Sequence, residues 1–409
     1  SSLALADVDV DGDLDLYVAN YRTTTIRTTG FALLNVGGRR VVPPELRNDL
    51  ELTPEGRVLE HGEPDCFYLN DGTGRFELVS WTSGRFLDSD GNPLAGPPRD
   101  WGLTAMFRDF NQDGLPDLYV CNDFHSPDRV WINAGSGVFQ AIDPLAIRQT
   151  STFSMSVDFA DLDRDGWDEI FLSDMLDLRR ERRTVQITAM EPHPGRVGMY
   201  EDRPQYDRNS LQWNRGDGTY AEIAQYAKMD KSGWSWSAVF LDVDLDGYED
   251  LLLTTGHMYD TQDLDAAARI ERMGPFRRDQ IPGKLLLYPP LSMPKAAFRN
   301  DQALGFEECG AAWGFADSGV AHGMALGDLD GDGDLDVVVN ELNAQPGVYR
   351  NESAAPRVLV RLRGARHNSQ GIGARISLRL PGLLQTQEIL AGGRYLSGDA
   401  AERAFAWRT

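Results

Sequence analysis

The sequence predicts an all-β protein in which a β-propeller of four-stranded blades precedes a small C-terminal β domain. A nine-residue acidic loop occurs five times in the 409 residues, and each loop is followed by a turn that begins with asparagine. A compact unit starts with the loop at Asp109, reaches its turn at Asn133, and gives way to the next loop at Asp161. A repeat of about 50 residues with four short strands is typical of a propeller blade.

The acidic loops predict calcium sites. Each has oxygen-bearing side chains at positions 1, 3, 5 and 9 and glycine at position 6. Alternate side chains can then point to one centre, position 7 can offer its carbonyl, and glycine permits the bend, which suits a hard cation. Five copies indicate about five structural Ca²⁺ ions; the alternative is acidic turns that bind nothing. The predicted ligands are Asp7, Asp9, Asp11, Asp13 and Asp15; Asp109, Asn111, Asp113, Leu115 and Asp117; Asp161, Asp163, Asp165, Trp167 and Glu169; Asp242, Asp244, Asp246, Tyr248 and Asp250; and Asp328, Asp330, Asp332, Asp334 and Asp336.

The asparagine turns predict a β-hairpin after each loop. The turns at Asn70, Asn133 and Asn214 share the pattern Asn-x-Gly-x-Gly followed two residues later by an aromatic residue, and Asn300 and Asn351 begin weaker copies. Short apolar runs flank the glycines, as expected for two strands joined by a tight turn. Five blades are therefore visible.

Three of the five units are longer than the compact one. Their extra residues fall between the second and third strands, as insertions at about 21–63, 175–208 and 257–295. Ser1 lies just before the first loop, and the last residues stop without a turn signal. We therefore expect this sequence to be an excerpt of a longer chain.

The repeat stops after Asn351, which predicts a domain boundary near Ala355. Residues 358–362 and 374–380 alternate apolar and polar side chains, as strands of a separate β unit would. The predicted domains are thus a propeller over 1–354 and a β domain, expected to be incomplete, over 355–409.

Composition excludes several classes of function. The formal net charge is −23, which makes nucleic acid an unsuitable partner. Three cysteines allow at most one disulfide, and no apolar run is long enough to predict a membrane-spanning segment. The metalloprotease HExxH, hydrolase GxSxG and phosphate-loop motifs are all missing from the sequence, so we predict no catalytic residue.

The acidic loop with its asparagine turn resembles the FG-GAP and VCBS repeats of integrin α-chain propellers and many bacterial secreted proteins. Residues 371–377 and 387–397 resemble an ASPIC/UnbV domain, and the pairing resembles the cartilage acidic protein family and its bacterial relatives. The resemblance implies a propeller, Ca²⁺ in the blade loops, and an extracellular, cell-surface or periplasmic location. Propellers of this kind usually have about seven blades, which the resemblance implies for an intact, longer chain. This chain departs from the pattern in showing five blades and in carrying Glu169 where the last aspartate is usual.

The predicted binding face lies opposite the acidic loops. If each loop joins the first two strands of a blade, then the start of strand one, the end of strand two and all three insertions emerge on the other face. Tryptophans above polar groups there resemble a sugar- or peptide-binding surface, the alternative being that they pack between blades. The candidate ligand-binding residues are Trp101, Asn122, Asp123, Asp174, Trp234, Trp236, His257, His322, Asn340 and Glu341.

These observations favour an extracytoplasmic, calcium-stabilised propeller that binds a protein or a carbohydrate in adhesion or assembly. One alternative is a polysaccharide-active enzyme that uses Asp123, Asp174, His257 and Glu341. Another is an accessory subunit of a larger surface complex. A smaller question concerns the acidic residues before Ala266, which either start a helix or hold a further cation; the helix is favoured.

Overall fold

The computed structural model describes residues 2–54, 56–186, 195–274, 276–277 and 280–408. Five antiparallel sheets form the blades of a β-propeller, which confirms the predicted fold class. Parts of all three insertions, including 187–194, lie outside the described residues.

The first two blades are built as the repeat predicts. Blade 1 contains β1 (Ser2–Ala6), β2 (Asp15–Ala19), then the first insertion with α1 (Ile26–Thr29), β3 (Leu34–Val36), β4 (Arg39–Val41), β5 (Leu50–Leu52) and β6 (Val58–Glu60), and finally β7 (Cys66–Asn70) and β8 (Phe76–Leu78). Blade 2 contains β9 (Phe86–Leu87), β10 (Gly102–Arg108), β11 (Asp117–Asn122), β12 (Arg129–Asn133) and β13 (Phe139–Ala141). The short β9 adds a parallel strand to the outer edge of β13.

The next two blades carry the second and third insertions. Blade 3 contains β14 (Thr150–Ser151), β15 (Ser156–Ala160), β16 (Glu169–Ser173), α2 (Arg180–Val185), β17 (Gln205–Tyr206), β18 (Ser210–Asn214) and β19 (Tyr220–Glu222). Blade 4 contains β20 (Ser235–Leu241), β21 (Asp250–Thr255), α3 (Leu264–Arg272), α4 (Ile281–Lys284), β22 (Met293–Pro294), β23 (Ala296–Asn300) and β24 (Phe306–Glu308). A small β14–β17 ladder lies beside the main sheet of blade 3, and β22 forms a second small ladder with Ser318–Gly319.

Blade 5 is three-stranded in the part of the chain that the structure describes, and the residues after it form a unit of their own. Its sheet contains β26 (Ala321–Gly327), β27 (Asp336–Glu341) and β28 (Gly347–Tyr349). The preceding β25 (Ser318–Gly319) pairs with β22 and is not part of that sheet. The C-terminal unit, which we define as residues 357–408, contains β29 (Arg357–Arg361), β30 (Arg375–Leu380), β31 (Leu383–Glu388), β32 (Ala391–Gly392) and β33 (Glu402–Ala406).

Each acidic loop joins the first and second strands of its blade, and each insertion lies between the second and third, as predicted. The first strands are the innermost and pack in the order β1, β10, β15, β20, β26. Every residue of β10, β15 and β20 is buried, because both faces of these strands pack against neighbouring blades. Between blades 1 and 2 the core is aromatic, with the rings of Phe86 and Phe139 stacked 5.7 Å apart.

The C-terminal unit does not sit apart from the propeller. Its strands pair β29 with β33 and β30 with β31, and none continues the series of four-stranded blades. The short β32, however, pairs with β1 and becomes the innermost strand of blade 1. The predicted boundary near Ala355 stays a prediction, although the residues after it return to the centre of the propeller.

Candidate metal loops and binding face

The backbone of the five acidic loops follows one pattern. In the first loop, Asp7 at position 1 accepts hydrogen bonds from the backbone N–H groups of Asp11 (3.1 Å) and Gly12 (3.0 Å). Asp109 and Asp242 accept the same two bonds from the N–H groups at positions 5 and 6 of their loops, at 2.8 Å for both bonds to Asp242. Glycine at position 6 has a positive φ in every loop, the conformation that side chains disfavour; these residues are Gly12, Gly114, Gly166, Gly247 and Gly333.

The carboxylate at position 9 connects the loop to the third strand of its blade through hydrogen bonds. Both carboxylate oxygens of Asp117 accept backbone hydrogen bonds, one from Phe110 at position 2 (3.1 Å) and one from Asn133 (2.8 Å). Glu169 makes the equivalent bonds to Leu162 and Asn214, so the longer side chain replaces aspartate without loss of this link. Asp15, Asp250 and Asp336 repeat it.

Three of the five turn asparagines link successive blades, a role that sequence reasoning missed. The side-chain amide of Asn133 donates to the carbonyl of Val8 in the preceding blade's loop (2.9 Å) as well as to Pro116 in its own (3.2 Å). Asn300 reaches Leu162 and Asn351 reaches Val243 in the same way. The signal was present in the sequence, since an asparagine begins the turn after every loop.

The loop side chains form clusters that fit a metal ion. Carboxylate oxygens within 4.8 Å of one another occur in four loops, and the second loop has the amide of Asn111 at position 3. Buried carboxylate oxygens without a hydrogen-bond partner lie on Asp9, Asp161 and Asp244. A buried, unpartnered anionic oxygen is unfavourable unless a cation lies beside it, so the donor set fits a hard metal ion. The clusters are Asp7, Asp9 and Asp15; Asp161, Asp163 and Glu169; Asp242, Asp244 and Asp246; and Asp328, Asp330 and Asp332.

Burial also makes several loop carboxylates costly to ionise. Burial raises the pKa of Asp15 to about 7, of Asp117 to about 8 and of Glu169 to about 9, and the backbone hydrogen bonds only partly offset it. A bound cation would remove this cost, because a neighbouring opposite charge favours the ionised form.

The C-terminal unit lies over the loop face. Arg357 pairs with Asp332 (2.9 Å) and Asp334 (3.1 Å) of the fifth loop. Arg375 donates to the carbonyl of Gly166 in the third loop (3.3 Å). At the fourth loop, a Cβ on Gly247 would lie only 2.7 Å from Leu383. The loop face is therefore partly covered by this chain's own C-terminal residues.

The opposite face does not show the exposed tryptophan rim that the sequence suggested, and that expectation is wrong. Trp101, Trp234 and Trp236 are only 2%, 8% and 9% exposed. Trp234 stacks on His257 at 4.3 Å, and Trp236 lies 4.4 Å from His322. Trp234 and Trp236 are buried in a small apolar core with Leu291 and Met293 of the third insertion, whereas Trp101 packs on Tyr21 of the first. Their assignment to ligand binding stays untested.

The polar candidates are largely engaged within the chain. Asp123 accepts from the hydroxyl of Tyr21 (3.1 Å), and Glu341 pairs with the buried Lys295 (2.5 Å). Asp174 accepts from Ser151 and from the N–H of Phe153, and burial raises its pKa to about 7.

The three remaining polar candidates differ in their surroundings. Asn122 is fully buried and donates to Pro127, whereas Asn340 is exposed. Burial lowers the pKa of His322 to about 4, so its ring stays neutral at physiological pH. The structure thus brings His257 and His322 together around Trp236, and it leaves Asn340 outside that group.

The acidic residues before Ala266 form a helix start, as favoured. Asp263 is the N-cap of α3 and accepts from the N–H of Ala266 (2.8 Å). Cys66, Cys121 and Cys309 are all free thiols. Within the described ranges, the structure contains no helix with the length and apolar character needed to cross a membrane.

The repeats have counterparts among known proteins. A family model described as an FG-GAP-like repeat matches residues 109–172 and 202–253, which include the second, third and fourth acidic loops. This propeller carries FG-GAP-like repeats. The comparison with curated proteins found no match.

The solved structures that resemble the chain do so weakly. A lectin of Agrocybe aegerita that recognises non-reducing terminal N-acetylglucosamine is 13% identical with a TM-score of 0.35, over 97% of this chain and 94% of the lectin. The exotype rhamnogalacturonan lyase YesX is 15% identical with a TM-score of 0.29, over 96% of this chain and 65% of the lyase. The Photorhabdus luminescens Tc holotoxin pore is 12% identical with a TM-score of 0.28, over 86% and 14%. Similarity at this level carries no argument about function.

Proposed function

We propose that this chain is an extracytoplasmic, calcium-stabilised propeller that binds a protein partner through its crown. The crown is the surface formed by the described residues of 21–63, 175–208 and 257–295. The observation that carries the proposal is the set of exposed apolar side chains on this surface. An exposed apolar cluster on a soluble domain commonly marks an interaction site.

The apolar cluster joins two insertions. Helix α1 of the first insertion packs beside α4 of the third. Phe31 and Leu34 follow α1 and are 39% and 45% exposed, while Leu285 and Leu286 follow α4 and are 43% and 67% exposed. A surface contributed by two separate insertions is larger than one loop could provide, and loops on a rigid scaffold are where recognition usually lies.

Charge also distinguishes the crown from the rest of the molecule. Acidic and basic residues are nearly balanced in number within the three insertions, so the net charge of −23 lies outside them. A near-neutral surface with exposed apolar groups suits a protein interface, whose centre is depleted of charge. Glycan binding, the enzymatic role and membership of a larger assembly remain predictions from the sequence.

Calcium would act through the acidic loops rather than the crown. Positions 1, 3, 5 and 9 would supply side-chain oxygens, with the carbonyl of position 7, and a bound ion would neutralise carboxylates that otherwise repel one another. About five ions are proposed, one for each loop. The proposed location is extracellular, cell-surface or periplasmic, and millimolar free Ca²⁺ outside the cell would fill the loops even at modest affinity.

A site-specific photo-crosslinker tests the crown. We expect a crosslinker at Leu286 to give one discrete protein adduct in the extracellular medium of the source organism, and excess unlabelled chain should compete it away. A crosslinker at Leu78, which is 57% exposed on the outer strand of blade 1, is the matched control and should give none. Equal adducts at both positions, or an adduct that survives Leu285→Asp with Leu287→Asp, would show that the crown is not the interface.

A further inference from the structure

Side chains of one inner strand bond the backbone of the next. Ser156 of β15 accepts from the N–H of Ala238 in β20 (3.0 Å), and Asp158 accepts from Phe240 (2.6 Å). The two acceptors are two residues apart, so both point to the same side of β15. They satisfy N–H groups on the inner edge of β20, which has no further strand to pair with.

The N–H groups on the inner edge of β26 are bonded in the same way by side chains of the C-terminal unit. Ser397 accepts from the N–H of Met324 (3.1 Å), and Asp399 accepts from Leu326 (3.1 Å). The hydroxyl of Ser397 also donates to the carbonyl of Met324 (2.7 Å). Ser156-Val-Asp158 and Ser397-Gly-Asp399 therefore present the same two acceptors at the same spacing to two equivalent strands.

The other end of this segment bonds the first blade. Ala391 and Gly392 pair with Leu5 and Ala4 of β1, and the N–H of Gly393 donates to the carbonyl of Leu3 (3.1 Å). Gly392 has φ +74°, and a Cβ there would lie 2.1 Å from that carbonyl oxygen, so glycine is required for the approach.

A buried arginine anchors the segment between these two ends. Arg394 is 5% exposed, pairs with Asp158 of β15 (2.5 Å) and pairs with Asp399 of its own segment (2.9 Å). It thus joins the two equivalent aspartates, one from a blade and one from the segment. Both carboxylates are buried and would lose their direct ion-pair partner if the arginine were removed.

We propose that residues 391–402 act as a substitute inner strand that closes the five-bladed ring between blades 5 and 1. Its serine and aspartate side chains bond the backbone of β26, just as those of β15 bond the backbone of β20. Its first residues pair with β1 and so extend the sheet of blade 1 on the inner edge. Ring closure therefore depends on the C-terminal unit, and the propeller and that unit form one cooperative structure. This proposal is independent of what the crown binds.

Hydrogen exchange of backbone amides in the full chain tests the local contacts. In Ser397→Ala, the amide of Met324 should exchange at least about tenfold faster, while that of Ala238 is unchanged. Ser156→Ala should show the reverse pattern, and Ser369→Ala, an exposed serine of the C-terminal unit, should change neither. Unchanged exchange at Met324 in Ser397→Ala would overturn the proposal.

Arg394 tests ring closure. In Arg394→Met, amides of β1 and β26 should lose protection together, and the whole chain should melt at a lower temperature. Arg394→Lys keeps a charge but reaches only one of the two carboxylates, so it should show the same paired loss in a milder form, and it provides the measurement if Arg394→Met fails to fold. Loss at β26 with full protection at β1, in either variant, would show that the segment packs on blade 5 without closing the ring.

Discussion

Many polar positions that recur in each repeat act within the chain. The carboxylate at position 9, as in Asp117, accepts backbone hydrogen bonds at both oxygens. The side-chain amide of Asn133 donates to backbone carbonyls of two successive blades. These side chains replace the hydrogen bonds that water would make to buried peptide groups, so each loss leaves a buried donor or acceptor without a partner. Such residues decide stability more than they decide function.

Asn133→Ala should destabilise the chain by about 1–3 kcal/mol. The substitution leaves the carbonyls of Val8 and Pro116 without their amide donor, at a place where Val8 is fully buried. Urea denaturation measures the change, with Asn35→Ala on an exposed strand of the first insertion as the control. Equal effects of the two substitutions would mean that the link between blades contributes nothing.

Asp65→Asn should make stability less dependent on pH. Burial raises the pKa of Asp65 to about 7, and its side chain accepts from the hydroxyl of Tyr17 and the N–H of Asn20. Because an ordinary aspartate has a pKa of about 3.9, the folded state holds the proton more tightly, and Asp65 costs stability as pH rises from about 4 to 7.

The variant removes that cost. Relative to the parent chain, Asp65→Asn should gain on the order of 1–3 kcal/mol between pH 5 and pH 8. Asp71→Asn, at an exposed turn of the same blade, should show no such gain. A pH-independent difference between Asp65→Asn and the parent would contradict the raised pKa.

At the scale of the element, the nine-residue loop is a complete structural unit. Position 4 also adopts a positive φ in every loop, at Val10, Gln112, Arg164, Leu245 and Gly331. Four of these five residues are not glycine, so the loop holds a conformation that most side chains disfavour. The local hydrogen bonds and the proposed cation are what would maintain it.

Asp9→Asn should weaken Ca²⁺ binding at the first loop at least about tenfold. Asp9 has a buried oxygen without a partner, within 4.8 Å of oxygens of Asp7 and Asp15. Replacing it with an amide removes one negative charge from the predicted ligand set. Isothermal titration of the metal-free chain should show one Ca²⁺ site that binds more weakly than in the parent chain, with the other sites unchanged. Asp71→Asn in the neighbouring hairpin should leave the titration unchanged, and an identical loss there would refute the site.

At the scale of the whole molecule, the C-terminal unit connects the two sides of the propeller. It pairs with the acidic loops through Arg357 and Arg375, and it enters the centre through Arg394. Events at the loops and at the ring closure are therefore physically linked. The crown lies on the other face, and the unit contacts the core beneath it through Tyr395, whose ring is 5.1 Å from that of Trp236.

Chelation of Ca²⁺ should lower the melting temperature by roughly 5 °C or more, because five clusters of carboxylates would lose their counter-ions together. The transition should stay single, since the C-terminal unit bonds both the loops and the inner strands. Differential scanning calorimetry with chelator, and again after Ca²⁺ is restored, measures both. An unchanged midpoint would contradict structural calcium, and two separate transitions would contradict the cooperative ring.

The sequence by itself determined the repeat, the strand order within a blade, the place of the loops and the place of the insertions. These features are local: a turn chemistry or an alternation of side chains acts over a few residues, wherever the rest of the chain lies. Even the helix start at Asp263 could be predicted, because an N-cap bonds residues of its own turn.

Only the tertiary structure decided which candidates meet and which are buried. Trp234 and Trp236 looked like a rim in the sequence, yet the insertions fold over them and make them core. The contact between Ser397 and Met324 joins residues far apart in the chain, and no local pattern specifies which strand edge a distant segment will reach. Burial and ring closure are sums over such long-range contacts, so they follow from the folded chain as a whole and not from any one motif.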